Sequence, residues 1–339
     1  MTTLRDTTGS AVVQALVDER RAAGAVMSGL ALTLVVVVDE DHCGDAERAA
    51  TAAAEMHPMR LLIVVRENIG SESRLDAEVA VGGRLGPGES VVIRVRGRLA
   101  LHAESVVLPL LAPDAPVVTW WATAPPHEIA HDPLGVLAGR RITDCARDPD
   151  PMGALRNRAD DYRPGDTDLA WTRTTGWRSL MASAFDSVYG TATAASVAAQ
   201  TGNPSGALVA GWLEDRLRVP VRTIESDGPG ITEVRVQLDS GDEIWLERGD
   251  GHNATLHGGL SFDRSLPLPR RDLGELLGEE LHRLDADEPY GRALSAATGV
   301  GRLDERSPTR RHVWFDPAQQ HDKGEPALYS VPSGESASG

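Results

Sequence analysis

The stretch Leu30–Val38 (LALTLVVVV) decides the fold of this chain, because it is a nearly continuous run of apolar and β-branched residues. Such a run is typical of a strand that is buried on both faces. Strong helix formers follow at Asp45–His57 (DAERAATAAAEMH), and Pro58 ends that segment. A second buried strand is predicted at Arg60–Arg66 (RLLIVVR). A strand, a helix and a strand over this length predict a βαβ unit.

The residues around this unit extend it to an α/β domain, for which we predict the bounds 1–165. A helix is predicted before the unit, at Thr7–Ala23. The elements predicted after it are two paired strands (Leu75–Val81 and Ser90–Leu99), a helix (His102–Leu111), a strand (Pro116–Trp121), a short helix (Leu134–Ala138), a strand (Arg140–Cys145) and a helix (Pro151–Asp161). Together they predict a Rossmann-like domain with a mostly parallel sheet.

The turn after the first predicted strand lacks the features of a nucleotide-binding loop. In dinucleotide-binding domains this turn is rich in glycine, so that backbone amides can approach a pyrophosphate. Here Asp39–Gly44 (DEDHCG) contains three carboxylates and one glycine, and the carboxylates would repel a phosphate. The glycine-rich segment Gly82–Gly88 lies between two strands, which predicts a hairpin loop. We therefore predict a Rossmann-like domain without a cofactor.

A second domain, residues 166–300, is predicted to be α+β with an antiparallel sheet. The predicted helices are Trp177–Phe185, Pro204–Leu217, Asp272–Leu284 and Tyr290–Ala297, and the predicted strands are Val219–Glu225, Ile231–Asp239, Glu243–Glu247 and Ala254–His257. Turns such as Asp227–Gly230 separate the strands at hairpin spacing. Residues 301–339 are polar and end in a Gly/Ser-rich segment, which predicts a disordered tail.

Composition excludes several classes of partner. The formal net charge is -16 and the pI is about 5.0, which argues against a nucleic acid or an anionic membrane as partner. The most apolar run, Leu30–Val38, is about half as long as a membrane helix. Residues 1–25 contain no apolar core of an export signal. We therefore expect a cytoplasmic protein.

Cysteine and lysine usage excludes further kinds of site. The two cysteines, Cys43 and Cys145, are far apart and indicate neither a disulfide framework nor a zinc ribbon. The single lysine, Lys323, lies in the polar tail. A Walker A phosphate loop and a lysine-based catalytic site both need a lysine elsewhere in the chain, so both are excluded.

One segment contains a literal H-E-x-x-H, formed by His127, Glu128 and His131. On a helix this spacing lets two imidazoles bind zinc, with the glutamate as general base. The prolines at 126 and 133 leave little room for such a helix, and no glutamate follows as a third ligand before Glu214. A polar loop after the strand Pro116–Trp121 is therefore the main interpretation, and a zinc metalloprotease is a distant alternative.

The chain also lacks the G-x-S-x-G motif of a serine hydrolase, and its histidines do not gather around either cysteine. We therefore predict a protein that is not an enzyme, with no catalytic, cofactor-binding or metal-binding residues. A binding or regulatory role is favoured. One alternative is a protein that binds a sugar phosphate or a nucleotide through arginines near the sheet, such as Arg140 and Arg141.

The segment Tyr162–Ser179 (YRPGDTDLAWTRTTGWRS) concentrates tryptophan and arginine at Trp171, Arg173, Trp177 and Arg178. These residue types dominate the hot spots of protein–protein interfaces. A core that joins two domains would also use the tryptophans. From the sequence alone both interpretations stand.

This segment resembles the OpcA family, the glucose-6-phosphate dehydrogenase assembly proteins. Four further stretches carry the same resemblance: Ser73–Val81 (SRLDAEVAV), Leu99–Pro116 (LALHAESVVLPLLAPDAP), Val117–Trp121 (VVTWW) and Asp132–Thr143 (DPLGVLAGRRIT). The resemblance covers most of residues 8 to 300, in order, and includes the two-domain plan.

The resemblance implies a function that the motifs themselves do not show. Members of this family are not known as enzymes; they associate with glucose-6-phosphate dehydrogenase and promote its assembled, active state in the oxidative pentose phosphate pathway. It implies an assembly factor or allosteric activator with that dehydrogenase as partner. Our candidate partner contacts are Trp171, Arg173, Trp177 and Arg178.

Overall fold

A computed structural model of the chain describes residues 1–24, 30–82, 88–186, 189–249, 251–258 and 263–308, together with the backbone of two short strands at 313–314 and 329–330. Within these ranges every helix is too short or too polar to cross a membrane. Two sheets, of eight and six strands, account for most of the strands.

The first sheet and its helices occupy the first half of the chain. Its strands are β1 (Thr2–Leu4), β2 (Leu32–Val38), β3 (Met59–Arg66), β4 (Arg74–Val81), β5 (Glu89–Arg96), β6 (Val117–Trp121), β7 (Arg140–Thr143) and β8 (Asp166–Asp168). The helices of this half are α1 (Gly9–Ala22), α2 (Cys43–Met56), α3 (Glu104–Val107), α4 (Pro133–Val136) and α5 (Pro151–Asp161).

The order of the strands is that of a Rossmann fold. It runs β1-β4-β5-β3-β2-β6-β7-β8, and the six strands from β5 to β8 are mutually parallel. This is the doubly wound order. Successive strands are added on one side of the first parallel strand, here β2, and then on its other side. The predicted βαβ unit and the mostly parallel sheet are confirmed. The predicted antiparallel pairing of β4 with β5 is also confirmed.

Both faces of this sheet are covered. All seven residues of β2 are buried, which explains the continuous apolar run. On one face α2 packs together with a helix from the second half of the chain, α9 (described below). On the other face lie α1, α3 and the segment that contains Ile129 and Leu134.

The predicted helix His102–Leu111 is wrong as a continuous element. The structure has 3-10 turns at Gly97–His102 and Leu108–Leu110, with the single turn of α3 between them. Pro109 has no N–H to donate and so interrupts the regular hydrogen-bond pattern of a longer helix.

The second half contains helices and a six-stranded sheet. Its helices are α6 (Leu169–Thr172), α7 (Thr175–Phe185), α8 (Pro204–Leu217), α9 (Leu273–His282) and α10 (Glu288–Thr298). The strands are β9 (Ala192–Ala199), β10 (Val221–Glu225), β11 (Ile231–Leu238), β12 (Glu243–Glu247), β13 (Asn253–His257) and β14 (Arg264–Pro267). This confirms an α+β second half.

This second sheet is mixed rather than purely antiparallel, as its order β10-β9-β11-β12-β13-β14 includes a parallel pair, β10 with β9. The other pairs are antiparallel, as predicted. Strand β9 was not predicted, because five of its eight residues are alanine and it has only two β-branched residues, Thr193 and Val197, and no aromatic residue (ATAASVAA).

The two halves of the chain share a core. Strand β8 begins at the predicted boundary, Asp166, and still belongs to the first sheet. Helix α9 returns from the second half to pack on α2, where the missing side chain of Gly274 lets the helices approach: a Cβ there would lie 2.7 Å from that of Ala52. The division into residues 1–165, 166–300 and 301–339 remains a prediction.

Two predicted segments fall partly outside the described residues. Of the hairpin loop predicted at Gly82–Gly88, residues 83–87 lie outside them. Of the predicted tail, residues 309–312, 315–328 and 331–339 lie outside them, and the two short strands β15 (Val313–Trp314) and β16 (Tyr329–Ser330) pair antiparallel.

Candidate functional site at the domain junction

The turn between β2 and α2 lies where doubly wound folds bind nucleotides, outside the carboxyl end of the strands where the strand order reverses. Asp39 accepts a hydrogen bond from the backbone N–H of His42 at 3.0 Å, and its carboxylate lies 2.6 Å from the Nδ1 of the same residue. Glu40 forms an ion pair with Arg94 at 2.9 Å. This acidic turn forms its own hydrogen bonds and does not fit a pyrophosphate.

The H-E-x-x-H segment is a turn and not a helix. Residues 127–131 precede α4, which begins at Pro133 with Asp132 as its N-cap. The backbone carbonyl of His127 accepts a hydrogen bond from Arg158 on α5 at 2.5 Å, which holds the loop against that helix. The two histidines therefore do not share a helix face, and no cluster suited to a metal ion occurs among the described residues. The helix that the zinc alternative requires is not formed, and the predicted loop is confirmed.

The junction between the two halves begins at Asp168, which is fully buried. Its carboxylate accepts hydrogen bonds from the Thr143 hydroxyl at 2.6 Å, the Cys145 backbone N–H at 3.0 Å and the Ala170 backbone N–H at 2.8 Å. The last of these caps α6 at its amino end. The direction in which the chain leaves the first sheet is therefore fixed by one carboxylate.

Arg140 and Arg141, on β7, are buried to 3% and 0% exposure. Arg140 is ion-paired with Glu280 of α9 and donates to the carbonyl of Asp285 at 2.7 Å, while Arg141 is ion-paired with Asp166 of β8. Glu280 also accepts a hydrogen bond from the Thr172 hydroxyl at 2.6 Å. Arg140 therefore joins the two halves, and Arg141 holds β8 against β7 within the first sheet. Both arginines are buried in internal ion pairs, which disfavours the alternative in which they bind a phosphate.

The two tryptophans of the predicted contact segment are buried. Trp171 is 1% exposed, and its indole N–H donates to Asp287 at 2.8 Å. Trp177 is 2% exposed and belongs to the core between α7 and the second sheet. Trp171 therefore lies in a core that joins the two halves of the chain, whereas Trp177 lies in the core of the second half.

Arg173 and Arg178 keep part of their side chains exposed. Arg173 donates two hydrogen bonds to Asp144, at 2.6 and 2.7 Å. The Arg178 guanidinium lies over the Trp171 ring, 3.6 Å from its centroid, and donates to the hydroxyls of Thr174 and Thr175. Burial lowers the pKa of Arg178 to about 10.

Sequence reasoning identified the residues of the junction but missed their partners. Asp144, Glu280 and Asp287 are single acidic residues in loops and helices, and each meets its cation or indole only after the chain has folded. One feature of the sequence could have indicated these pairs: the chain has many arginines and almost no lysine. Arginine is the cation that suits buried bidentate ion pairs.

Comparison with protein families gives two matches that together span most of the chain. Residues 50–160 match the N-terminal domain of the glucose-6-phosphate dehydrogenase subunit family (OpcA_G6PD_assem). Residues 164–294 match the C-terminal domain of the same family (OpcA_G6PD_C). A search of curated protein sequences gives no match.

Comparison with solved structures gives weak likenesses to oxidoreductases. KijD10, a 3-ketoreductase from Actinomadura kijaniata in complex with NADP, has a TM-score of 0.45 and 10% identity, over 80% of this chain and 96% of that chain. The dehydrogenase MviM from Clostridium difficile has a TM-score of 0.42 and 5% identity, over 81% and 98% of the two chains. At these scores the likenesses carry no argument about function.

Proposed function

Because this chain belongs to the OpcA family of glucose-6-phosphate dehydrogenase subunits, we propose that it is a non-catalytic subunit. It binds glucose-6-phosphate dehydrogenase and favours the active, oligomeric state of that enzyme. The observation that carries this proposal is the pair of family matches, one in each half of the chain. The proposal places the protein in the cytoplasm, where the dehydrogenase acts.

Two features of the site support a role without catalysis. The turn after β2 presents Asp39 and Glu40 where a dinucleotide phosphate would lie, and both carboxylates have partners within the chain. Arg140 and Arg141 of β7 are buried in ion pairs. These features are consistent with a Rossmann-like protein whose surface binds the dehydrogenase.

Activation by such a protein requires differential binding. A partner shifts an enzyme toward its active state only if it binds that state more tightly than the others. A tenfold preference corresponds to about 1.4 kcal/mol, which a few well-packed interface contacts supply. The four residues predicted as contacts remain a proposal, and Arg173 and Arg178 are the two with exposed atoms.

The test is a steady-state assay of the cognate dehydrogenase with increasing amounts of this protein, combined with size-exclusion chromatography of the mixture. We expect a higher kcat or a lower KM and a shift of the enzyme to a larger species that contains both chains. The same protein added after thermal unfolding is the control. Unchanged kinetics together with separate elution of the two proteins would contradict the proposal.

A further inference from the structure

One face of the second sheet is covered by helices, whereas no hydrophobic cluster in the described part of the chain includes the main side chains of the other face. On the covered face Val197, Val234 and Leu246 belong to a hydrophobic cluster with residues of α7 and α8. Alternate residues of each strand point the other way. We call these side chains the open face; its main members are Ser196, Ile224, Arg235, Glu243, Trp245 and His257. In the described part of the chain none of them belongs to a hydrophobic cluster.

The centre of the open face is a stack of three flat groups. Trp245 lies directly opposite both Arg235 on β11 and His257 on β13. Its ring is 4.5 Å from the His257 ring, with 14° between their planes, and the Arg235 guanidinium lies 4.7 Å from its centroid. These contacts hold the side chains in fixed positions before any partner binds, which reduces the entropy lost on binding.

Beside this stack lie several small side chains and, opposite Ser196, the exposed Arg222. Ser196 of β9 lies opposite Arg235, and its neighbours on the same face are Ala194 and Ala198. Ile224 of the edge strand β10 lies beside Ala198 and is 47% exposed. An aromatic and arginine centre beside alanines and an exposed isoleucine has the composition of a protein–protein contact.

The charges of this face select the kind of partner. Glu233 and Glu247 lie directly opposite each other on neighbouring strands, and like charges in that position repel. Arg235 is ion-paired with Glu233 at 3.0 Å and with Glu243 at 2.6 Å, while Glu247 is 56% exposed. A basic side chain from a partner would relieve the repulsion between Glu233 and Glu247.

The same charges disfavour a second copy of this chain as the occupant. The open face carries Glu233, Glu243 and Glu247 against Arg222 and Arg235, and each chain carries a formal net charge of -16, so two copies would repel each other. The junction segment is a weaker candidate for the contact, because Trp171 and Trp177 are buried and Arg173 is paired within the chain.

We infer that the open face of the second sheet is the surface that binds glucose-6-phosphate dehydrogenase, and that it receives a flat surface of that enzyme with a basic side chain between Glu233 and Glu247. This inference rests on the proposed function, since it names the surface that performs it. Trp245 and Ile224 provide the apolar contact, and the acidic pair provides orientation and salt dependence.

Neighbouring residues of the edge strand β10 provide a matched test. Ile224 lies on the open face and Thr223 on the helix side of the same strand, and both are exposed. The affinity of the dehydrogenase for immobilised wild-type protein, Ile224→Arg, Thr223→Arg and Trp245→Ala is measured by biolayer interferometry. We expect Kd to rise about tenfold or more for Ile224→Arg and Trp245→Ala, and to stay unchanged for Thr223→Arg.

A second pair of variants tests the charge. Glu247→Lys places a positive charge on the open face, whereas Glu225→Lys places it on the helix side of β10. We expect weaker binding and a smaller dependence of Kd on salt for Glu247→Lys, with neither change for Glu225→Lys.

The outcomes separate the inference from the proposed function. If wild-type protein does not bind the dehydrogenase, the proposed function fails. If it binds and the open-face variants bind equally well, the inference fails and the function stands. Loss of self-association in these variants, with unchanged binding of the dehydrogenase, would overturn the inference in favour of a second copy as the occupant.

Discussion

Arg173 donates two parallel hydrogen bonds to Asp144, across the point where the chain passes from the first sheet to the second half of the molecule. The Asp144 side chain is 4% exposed, whereas 31% of the Arg173 side chain reaches solvent. A residue predicted as a partner contact therefore has a buried carboxylate to neutralise. Substitution of Arg173 is therefore expected to lower the stability of the fold, whether or not it also weakens binding of the dehydrogenase.

Replacement of Arg173 by alanine should lower the free energy of unfolding by about 3 kcal/mol, because a buried carboxylate loses its counter-charge. Burial raises the pKa of Asp144 and Arg173 opposes this rise, so the variant should raise it further. A carboxyl with a raised pKa in the folded state binds more protons than in the unfolded state, so the loss should shrink as the pH falls.

Urea denaturation of Arg173→Ala at pH 8 and pH 5 checks this expectation. The double variant Arg173→Ala/Asp144→Ala is the control, and it should recover part of the lost stability because no buried charge remains at this pair. An equal loss at both pH values would show that Asp144 is not the cause.

Glu89 should account for part of the sensitivity of the fold to acid. This residue is fully buried and accepts hydrogen bonds from Arg60 at 2.6 Å and from Arg20 at 2.7 Å. Burial raises its pKa, but the two arginines outweigh burial and hold the pKa below its usual value. Its contribution to stability is therefore present above the pKa of the unfolded state, about 4.3, and is lost as the pH falls below it.

Replacement of Glu89 by glutamine should cost about 3 kcal/mol at pH 7, since Arg60 would then be a buried cation without a counter-charge. Urea denaturation from pH 7 to pH 3 should also show a flatter decline than in the wild-type protein. A parallel decline in both proteins would contradict the assignment to Glu89.

Gly211 should be needed for the contact between α8 and α10. A Cβ at this position would lie 2.3 Å from the carbonyl oxygen of Ala293 and 2.8 Å from the backbone nitrogen of Ala297. Both atoms belong to the backbone of α10, which cannot move aside as a side chain can. Gly211→Ala should therefore lower the thermal midpoint, at a cost of about 1–3 kcal/mol.

The matched control for this substitution is Gly44→Ala in α2, where an added Cβ meets nothing within 4 Å. Gly44 lies in the first turn of α2, where alanine is at least as favourable as glycine, so the thermal midpoint should stay or rise. Equal midpoints for both variants would show that the α8–α10 contact tolerates a wider spacing.

The variant Arg178→Ala distinguishes two candidate contact surfaces for the dehydrogenase: the junction segment predicted from the sequence and the open face. Arg178→Ala removes the cation that lies over Trp171 and should cost about 1 kcal/mol of stability. We expect the Kd for the dehydrogenase to change less than about twofold, because the open face is intact. A tenfold rise in Kd in a folded variant would return the contact to the junction.

The sequence predicted elements well where local pattern carries the information. The buried run at Leu32–Val38, the alanine-rich helix α2 and the parallel strand β3 follow from composition alone, and they define the first sheet. It failed at β9, whose small residues show no strand pattern, and at Gly97–Leu110, where Pro109 breaks a pattern that looked helical.

By itself the sequence determined the α/β class of the first sheet and the acidic turn that does not fit a nucleotide phosphate, and its resemblance indicated the family. Those properties depend on neighbouring residues, whose chemistry can be read along the chain. Only the tertiary structure decided which tryptophans and arginines are used internally. The contacts in question join segments that are far apart in the chain: Trp171 with Asp287, Arg140 with Glu280, and Arg173 with Asp144. It also decided which face of the second sheet α7 and α8 cover. Alternation along a strand separates its two faces but does not show which of them the helices cover.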